Sequence, residues 1–224
     1  MPQGSFPVKK VEEDFRLKKL CKYEEEVFSL GHKLVGGVDE AGRGPLAGPV
    51  VAAVVILPQN AKISGINDSK KLTPAMRERL CKTISKIVID WGVGIVDEQK
   101  IDEINILQAT YMAMGKAINS LKAKPHFLLV DGHNIPHIDI LQKPIIKGDQ
   151  LSISIQAASI LAKVIRDRIM VEYDKEFPQY GFAKHKGYGT ALHIESIKKY
   201  GICKIHRKSF EPIKSMCSYT GHCH

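Results

Sequence analysis

Two adjacent carboxylates lie in the segment Gly-Val-Asp-Glu-Ala-Gly-Arg-Gly-Pro at residues 37–45, after a short apolar stretch typical of a strand. They are Asp39 and Glu40, and the turn that follows them contains Gly42, Arg43 and Gly44. Carboxylates beside exposed backbone amides and a guanidinium suit metal-assisted chemistry on a phosphate. Because side chains alternate along a strand, both carboxylates can face one site only if the strand breaks at Ala41-Gly42. A solvated strand end is the alternative.

Two further carboxylates occupy places where a ligand site can form. Asp131 follows the apolar run at 127–130, and open α/β sheets bind their ligands beyond such strand ends. Asp149 lies in a Lys-Gly-Asp segment directly before a predicted helix. Each also has a simpler explanation, because Asp-Gly is a common turn and an aspartate before a helix is a common N-cap.

Four carboxylates gathered at one site would repel one another and raise one another's pKa values. Divalent cations remove that conflict, and ligation by oxygen alone suits Mg²⁺ or Mn²⁺ rather than zinc. Two such ions can activate a water and stabilise the leaving oxygen of an in-line phosphoryl displacement. The sequence alone does not bring the four residues together, so a shared metal site is a hypothesis at this stage.

Basic residues outnumber acidic ones by 33 to 24, and the net charge of +9 favours a polyanionic partner such as nucleic acid. They form four clusters: Lys70-Lys71, Lys184-His185-Lys186, Lys198-Lys199 and His206-Arg207-Lys208. Several follow turn residues, where backbone amides can also meet phosphates. Tyr188 stands between two glycines, which favours an exposed ring that stacks on a sugar or base. An ordinary solvated surface is the alternative for each cluster.

Hydrophobic periodicity and turn residues predict an α/β protein. Helices are predicted at 12–30, 73–90, 101–121, 155–173 and 190–200, and strands at 34–40, 50–57, 91–96, 127–130 and 144–146. Residues 151–155 alternate like a strand, so the start of the fourth helix stays open. Residues 1–10 are predicted to be disordered, and Gly31 is predicted to end the first helix. A strand-rich first third before alternating helices and strands predicts one domain with a mixed sheet.

Length and composition limit the class of protein. The 224 residues suffice for one domain with extensions. No apolar stretch approaches the roughly 20 residues that span a bilayer, and the N-terminus has no signal-peptide pattern. Five scattered cysteines, an odd number, suit a reducing compartment. We therefore expect a cytoplasmic protein with no membrane segment.

In their order and spacing these motifs resemble those of the type 2 ribonuclease H family, ribonuclease HII, in its bacterial form. The segments that carry the resemblance are Gly-Val-Asp-Glu-Ala-Gly-Arg-Gly-Pro at 37–45, Asn-Asp-Ser-Lys-Lys-Leu at 67–72, Val-Asp-Gly at 130–132, Lys-Gly-Asp at 147–149, Ser-Ile-Gln-Ala-Ala-Ser-Ile-Leu-Ala-Lys-Val at 154–164 with Arg166-Asp167, His-Lys-Gly-Tyr-Gly-Thr at 185–190 and His-Arg-Lys-Ser-Phe at 206–210. Together they extend over residues 34–213. Gln156 departs from the small residue common at its position, and we expect it to alter packing without changing the chemistry.

The resemblance implies a ribonuclease H-like fold, in which helices flank a mixed central β-sheet. It implies a partly helical N-terminal extension over 1–30, a catalytic domain over 31–213 and a flexible tail over 214–224. The implied activity is hydrolysis of the RNA strand of RNA–DNA hybrids, together with cleavage 5′ to single ribonucleotides embedded in duplex DNA. Such cleavage leaves 3′-hydroxyl and 5′-phosphate ends, and we expect the enzyme to be a monomer.

The same resemblance assigns roles to individual residues. The implied catalytic and metal-binding carboxylates are Asp39, Glu40, Asp131 and Asp149, with Mg²⁺ or Mn²⁺ as cofactor and two ions during turnover. The turn at 42–44 is implied to sense the ribose 2′-hydroxyl, with Tyr188 stacking on the sugar at the junction. The other implied substrate contacts are Ser69, Lys70, Lys186 and Arg207.

Two other functions are open to such a chain. One is a metal-dependent DNA nuclease or resolvase of the related fold, and the other is a module that binds hybrids without cutting them. The Gly-Arg-Gly turn together with Tyr188 argues against the first. The complete set of four carboxylates argues against the second.

Overall fold

The computed structural model describes the backbone of residues 6–220 and the side chains of residues 11–216. Within those limits the helices are α1 Phe6–Leu20, α2 Lys22–Ser29, α3 Pro74–Ile87, α4 Glu98–Asn119, α5 Gly148–Leu151, α6 Ile153–Glu176, α7 Phe182–His185, α8 Ala191–Tyr200 and α9 Ile213–Thr220. The strands are β1 Val35–Ala41, β2 Val50–Ile56, β3 Asp90–Val96, β4 Phe127–Asp131 and β5 Leu141–Ile145. Across this described part of the chain, every helix is too short or too polar to cross a membrane.

The five strands form one mixed sheet in the order β3-β2-β1-β4-β5. β1, at the centre, pairs antiparallel with β2 and parallel with β4, so the carboxyl ends of β1 and β4 meet at the same edge. The outer pairs are antiparallel between β2 and β3 and parallel between β4 and β5. Helices α4 and α6 cover the sheet. The predicted α/β fold with a mixed central sheet flanked by helices is therefore confirmed.

The sequence of β2 explains why both faces of the sheet are covered, since all seven of its residues are buried. Its odd-numbered residues from 51 to 55 pack with α3 and α6 on one face. Its even-numbered residues from 50 to 54 pack with α4 on the other. A strand that is apolar throughout is typical of a sheet enclosed between helical layers. Full burial of each valine or isoleucine side chain contributes about 1.5–3 kcal/mol to folding.

Gly37 determines how closely α6 can approach β1. A Cβ atom at this position would lie 2.2 Å from the carbonyl carbon of Ser154 and 2.4 Å from the nitrogen of Ile155. No real Cβ contact is that short, so only glycine allows the N-terminus of α6 to lie directly on the strand. This contact is two residues before Asp39, and it fixes the helix relative to the carboxyl edge of the sheet.

The predicted strands and most of the predicted helices are confirmed, although the fifth strand begins at Leu141, three residues before its predicted start. The single helix predicted over 12–30 is wrong, because a turn at Cys21 divides it into α1 and α2. The predicted disorder is wrong for residues 6–10, which belong to α1, whereas residues 1–5 lie outside the described part. Gly31 does end α2, with φ of +92° and its N–H bonded to the carbonyl of Phe28 at 3.0 Å.

The region that was ambiguous between helix and strand is helical with one interruption. Ser152 separates α5 from α6, and its hydroxyl accepts a hydrogen bond from the N–H of Ile155. Strand-like alternation arises there because the first turn of α6 is buried on every side. In the predicted tail, α9 occupies residues 213–220, and residues 221–224 lie outside the described part. The mobility of the tail and the domain limits stay predictions.

A separate apolar cluster attaches the C-terminal third of the chain to the loop between β1 and β2. Its buried members are Leu46, Ala47, Met170, Tyr180, Phe182, Ile197, Ile205 and Ile213. The loop residues Leu46 and Ala47 pack here with side chains from α6, α7 and α8. The amide of Leu46 also bonds the carbonyl of Gly187 at 2.8 Å. As a result, the segments that carry Tyr188 and Arg207 lie against the Gly-Arg-Gly turn.

Candidate active site

Asp39 and Asp131 lie side by side at the carboxyl edge of the sheet. The parallel register of β1 and β4 ends one residue before each of them. Because side chains alternate along a strand, both point to the face covered by α6, where Leu129 packs against Ile155. Asp39 is only 4 % exposed. Burial raises the pKa of its carboxyl well above the usual value, and the charges of Glu40 and Asp131 raise it further.

Glu40 reaches the same edge from the other face. The ladder between β1 and β2 continues through Ala41, so Asp39 and Glu40 point to opposite sides of the sheet. The strand ends at Ala41, and the charge of Asp131 still affects Glu40 there. Burial raises the pKa of Glu40. Arg43 opposes this shift, with its Nη1 3.4 Å from Oε1 of Glu40.

Asp149 lies in α5, directly against Asp131. The N–H of Gly148 donates to Oδ1 of Asp131 over 2.7 Å. The N-cap of α5 is Lys147 and that of α6 is Ser152, so the explanation of Asp149 as an N-cap is wrong. Burial raises the pKa of Asp131. The Gly148 hydrogen bond lowers it, and the negative charge of Asp149 raises it. The four predicted carboxylates therefore interact at one edge of the sheet.

The chemistry of this donor set fits a divalent cation. Burial and mutual repulsion raise the pKa values of three of the four carboxylates, and a cation would relieve that repulsion. Among the described side chains, however, no group of three or more His, Cys, Asp or Glu is already arranged to hold a metal. Basic side chains supply the compensating charge here: Lys70 Nζ lies 3.1 Å from Oδ2 of Asp149, and Arg43 pairs with Glu40.

Lys70 and Ser69 occupy different environments although they are adjacent. The Lys70 side chain is 79 % exposed, and its backbone N–H donates to Oδ1 of Asp68 over 2.9 Å. Partial burial lowers the Lys70 pKa, but the hydrogen bond and charge of Asp149 outweigh that effect and raise it. Ser69 is 4 % exposed, and its Oγ lies 2.9 Å from Oγ of Ser159 on α6. Lys70 is therefore open to a substrate, whereas the hydroxyl of Ser69 faces the interior.

Arg207 holds the Gly-Arg-Gly turn from inside the protein. It is fully buried, and its guanidinium donates to the carbonyls of Gly42 at 2.6 Å, Arg43 at 2.9 Å and Gly48 at 2.8 and 3.0 Å. Burial lowers its pKa to about 9, and the charge of Arg166 contributes to the shift. These bonds direct the guanidinium to the backbone of the turn. The structure thus gives Arg207 a place behind the turn, and its predicted contact with substrate stays untested.

Arg166 is a second buried guanidinium beside the same turn. It donates to the carbonyls of Ala47 at 3.0 Å, Pro49 at 2.9 Å and Lys186 at 2.9 Å. A Cβ on Gly42, whose φ is +96°, would lie 2.1 Å from Nε of Arg166. Burial lowers the pKa of Arg166 to about 10. The two arginines therefore tie the loop after β1 to the segment that carries Lys186 and Tyr188.

Tyr188 and Lys186 border a cleft next to this turn. Tyr188 is 43 % exposed, and Lys163 Nζ lies 5.6 Å from the centre of its ring. Lys186 is half-buried in the left-handed region at φ of 53°, and its ammonium bonds the carbonyl of Ala183. The cleft has a volume of about 490 Å³. Its basic lining residues are Arg77, Lys163, Arg168, Lys184 and Lys186, and its acidic ones are Glu78, Asp167 and Glu172.

Two neutral histidines, His193 and His206, join the backbone of Tyr188 to the segment directly before Arg207. His193 Nδ1 lies 2.9 Å from the carbonyl of Tyr188, and its Nε2 lies 3.1 Å from Nε2 of His206. The N–H of Cys203 donates to Nδ1 of His206 at 2.9 Å. These partners assign the proton to Nδ1 in His193 and to Nε2 in His206. Burial lowers the pKa of each histidine to about 4, which keeps the pair neutral.

Three features of the site were not predicted from the sequence: the contacts of Arg166 with the loop after β1, the contact of His193 with Tyr188, and the inward orientation of Arg207. One signal for Arg166 was available, because it lies at four-residue spacing from Ala158, Ala162 and Met170, all of them fully buried in α6. An arginine on an apolar helical stripe must bond within the protein. No comparable pattern pointed to His193, since its partners come from residues 188 and 206.

Comparisons with known proteins agree with this fold. The sequence model of the family Ribonuclease HII matches residues 36–213. The ribonuclease HII of Clostridioides difficile (strain 630) is 59 % identical over 198 residues, which are 88 % of this chain and 78 % of that protein. The crystal structure of ribonuclease H2 from Pyrococcus horikoshii OT3 is 30 % identical, with a TM-score of 0.67 over 82 % of this chain and 96 % of the other. Bst-RNase HIII in complex with Mn²⁺ shares the fold, at 20 % identity and a TM-score of 0.65 over 83 % of this chain and 69 % of the other.

Proposed function

Because the chain belongs to the ribonuclease HII family, we propose that it cuts duplex DNA on the 5′ side of a single embedded ribonucleotide and leaves 3′-hydroxyl and 5′-phosphate ends. As a member of this family it is a ribonuclease H, a metal-dependent endonuclease that acts on RNA–DNA hybrids. The proposal is supported above all by one observation: Arg207 donates hydrogen bonds to three backbone carbonyls of the loop that begins with the Gly-Arg-Gly turn.

One embedded ribonucleotide differs from its neighbours by a single 2′-hydroxyl. Groups that recognise so small a feature must be held in place before binding, because ordering them afterwards weakens the interaction. Gly42 allows a close backbone approach, and Arg207 and Arg166 hold the loop at residues 42–49 from inside. We therefore assign recognition of the 2′-hydroxyl to Gly42, Arg43 and Gly44.

We assign Asp39, Glu40, Asp131 and Asp149 as the ligands of Mg²⁺ or Mn²⁺, with two ions during turnover. Bound ions would supply activation of the attacking water and stabilisation of the leaving oxygen. The Mn²⁺ complex of the structurally similar Bst-RNase HIII supports a cation of this class. The carboxylates themselves contribute oxygen ligands whose mutual repulsion favours a bound cation.

Basic and aromatic residues around the carboxylates would hold the nucleic acid. Lys70 is exposed at the carboxylate edge, where its ammonium can meet the phosphate at the cut. Tyr188 is exposed beside the turn and can stack on the sugar at the junction. Lys186 contributes to the basic cleft of about 490 Å³, which suits the duplex backbone. We assign Ser69 a contact through its backbone, since its hydroxyl faces α6.

The test uses an end-labelled DNA duplex that contains one ribonucleotide, incubated with Mg²⁺, with Mn²⁺ and with a chelator. The expected result is a single metal-dependent cut 5′ to the ribonucleotide. The matched all-DNA duplex should stay intact, and cutting it equally fast would favour a DNA nuclease or resolvase. Binding without any cut would favour a non-cleaving hybrid-binding module. Cleavage of a long hybrid alone would overturn the assignment of residues 42–44 as a 2′-hydroxyl sensor.

We also propose that the protein acts as a monomer in the cytoplasm. All four carboxylates and the turn belong to one chain, so no second subunit is needed to complete the site. The cysteines among the described side chains, Cys21, Cys81 and Cys203, are free thiols, which suits a reducing compartment. The mass of the native protein in solution, measured by light scattering, tests the monomer.

A further inference from the structure

Glu24 is a carboxylate that the nuclease chemistry does not use, and it is 95 % buried on α2, since only 5 % of it is exposed. Its Oε1 accepts three hydrogen bonds, from Ser152 Oγ at 2.5 Å, Ser154 Oγ at 2.6 Å and the N–H of Ser154 at 3.0 Å. These bonds join residues about 130 positions apart. Glu24 therefore connects the N-terminal helices to the start of α6.

The two serines lie directly behind the carboxylate edge. Ser152 is the one residue between α5 and α6, and its N–H bonds the carbonyl of Gly148 at 2.9 Å. Gly148 in turn donates to Asp131, and the next residue is Asp149. A chain of direct contacts thus runs from Glu24 through Ser152 and Gly148 to the segment that presents Asp149.

Stability alone does not account for a carboxylate at this place. A buried carboxylate loses its hydration, and no basic side chain among the described residues pairs with Glu24. Its Oε2 has no hydrogen-bond partner within the described part of the chain. The donors to Oε1 and the N-terminus of α6 offset that loss only in part, because burial still raises the pKa of Glu24. A buried hydrogen-bond network of this kind favours a single conformation of the backbone that it joins, here the segment at the start of α6.

We propose that Glu24 is a positioning residue for the reaction. It fixes Ser152 and Ser154, and through them it sets the direction in which α5 presents the carboxylate of Asp149. The N-terminal helix pair then belongs to the catalytic apparatus as well as to the scaffold. This inference rests on the proposed role of Asp149 as a metal ligand.

The experiment compares Glu24→Ala and Glu24→Gln with Glu26→Gln, a matched control on the same helix. Glu26 is exposed and pairs with Lys143 at 2.8 Å, so its loss removes another tie between α2 and the sheet without touching α6. Calorimetry measures the Mn²⁺ affinity of the protein without nucleic acid, and steady-state kinetics measures kcat and KM on a long hybrid, both at a temperature at which every variant is folded. Thermal unfolding then gives the melting temperature of each variant.

We expect Glu24→Ala to weaken Mn²⁺ binding about tenfold, in the range found when groups that orient a metal ligand are removed. We expect kcat to fall about tenfold with KM changed less than about twofold, since the phosphate contacts remain. Glu24→Gln keeps an oxygen acceptor at Oε1 and should retain most of both quantities. Glu26→Gln should match the unaltered protein.

A lower melting temperature of Glu24→Ala with unchanged Mn²⁺ affinity and kcat would overturn the proposal, since Glu24 would then only stabilise the fold. Losses of equal size in Glu26→Gln would overturn it as well. If Glu24→Ala does not fold, Ser154→Ala removes one donor to Oε1, and it must show the same direction of change. Asp149→Asn distinguishes a failure of the ligand assignment from a failure of the positioning role. If its Mn²⁺ affinity equals that of the unaltered protein, the assignment of Asp149 as a ligand is wrong, whatever the result for Glu24.

Discussion

Arg207 donates from Nη2 to the carbonyl of Gly42 over 2.6 Å, which joins positions 165 residues apart in the chain. On its other side, Gly42 touches Arg166 so closely that a Cβ would lie 2.1 Å from Nε of that residue. One guanidinium fixes carbonyls of the turn and the other fills the space beside it. The shape of the turn is therefore a property of the whole fold and not of its local sequence.

Replacing Arg207 by alanine should remove selectivity before it removes hydrolysis. Three carbonyls lose their donor, and we expect the free energy of unfolding to fall by about 2–5 kcal/mol. With the turn released, kcat/KM on the single-ribonucleotide duplex should fall about 100-fold, and on a long hybrid about tenfold or less. Lys208→Ala, at the exposed neighbouring position, is the control. Equal losses on both substrates would show that the turn does not sense the 2′-hydroxyl.

The charge of Asp131 should be needed for turnover and unfavourable for stability. Asp131→Asn keeps the shape of the side chain, but it removes the carboxylate charge. Burial and the neighbouring negative charge make that charge unfavourable, because both raise the pKa of Asp131. We expect turnover to fall at least about 1000-fold, while the Kd for a hybrid stays within about threefold. Without metal, the variant should be more stable by about 1 kcal/mol because repulsion is relieved. Unchanged turnover would remove Asp131 from the site, and Asp139→Asn is the exposed control.

Mild acid should destabilise the protein through His193 and His206. Their folded-state pKa values are about 4, below the ordinary 6.5, so the unfolded chain takes up protons first as the pH falls. The stabilisation is complete above pH 6.5 and is lost as the pH falls towards about 4. Urea unfolding at several pH values in this window should give a shallower pH dependence for His193→Asn. If the buried pair were already charged, His193→Asn and the unaltered protein would show the same pH dependence of the free energy of unfolding.

Gln156 should affect the chemistry, contrary to the expectation of a packing effect alone. Its Nε2 donates to the backbone carbonyl of Asp149 at 2.7 Å, so it holds α5 through a contact that does not involve Glu24. Its Oε1 has no partner among the described residues, which limits what the side chain contributes to stability. We expect Gln156→Leu to lower kcat about threefold to tenfold and the free energy of unfolding by about 1 kcal/mol or less. Steady-state kinetics beside urea unfolding measures both, and a change in stability alone would restore the packing interpretation.

The sequence predicted the sheet and the carboxylate edge because both depend on local signals. Asp39 and Asp131 each follow an apolar run, and apolar runs predict the buried strands that bring them together. The division at Cys21 was not predictable in this way, since α1 and α2 carry similar mixtures of charged and apolar residues.

The contacts that hold the site in shape depend on distant parts of the chain. Glu24 reads as one glutamate among several on a polar helix, and only its contact with Ser152, 128 residues away, gives it a role. Arg207 looks like part of a basic cluster in the sequence, yet it is fully buried and donates to backbone carbonyls at residues 42, 43 and 48. Local sequence patterns show which residue types are present, whereas the direction of a long side chain depends on contacts with distant parts of the chain.

Gly37 has a consequence for heritable variation. Every single-base change of a glycine codon that encodes a different amino acid adds a Cβ, and at this position that atom would lie 2.2 Å from the backbone of α6. The helix would have to move away from β1, and with it the support of Asp39 and Asp149. The codon can therefore tolerate synonymous changes only, and any missense allele at residue 37 should behave as a loss of the enzyme even though no polar group of the site is altered.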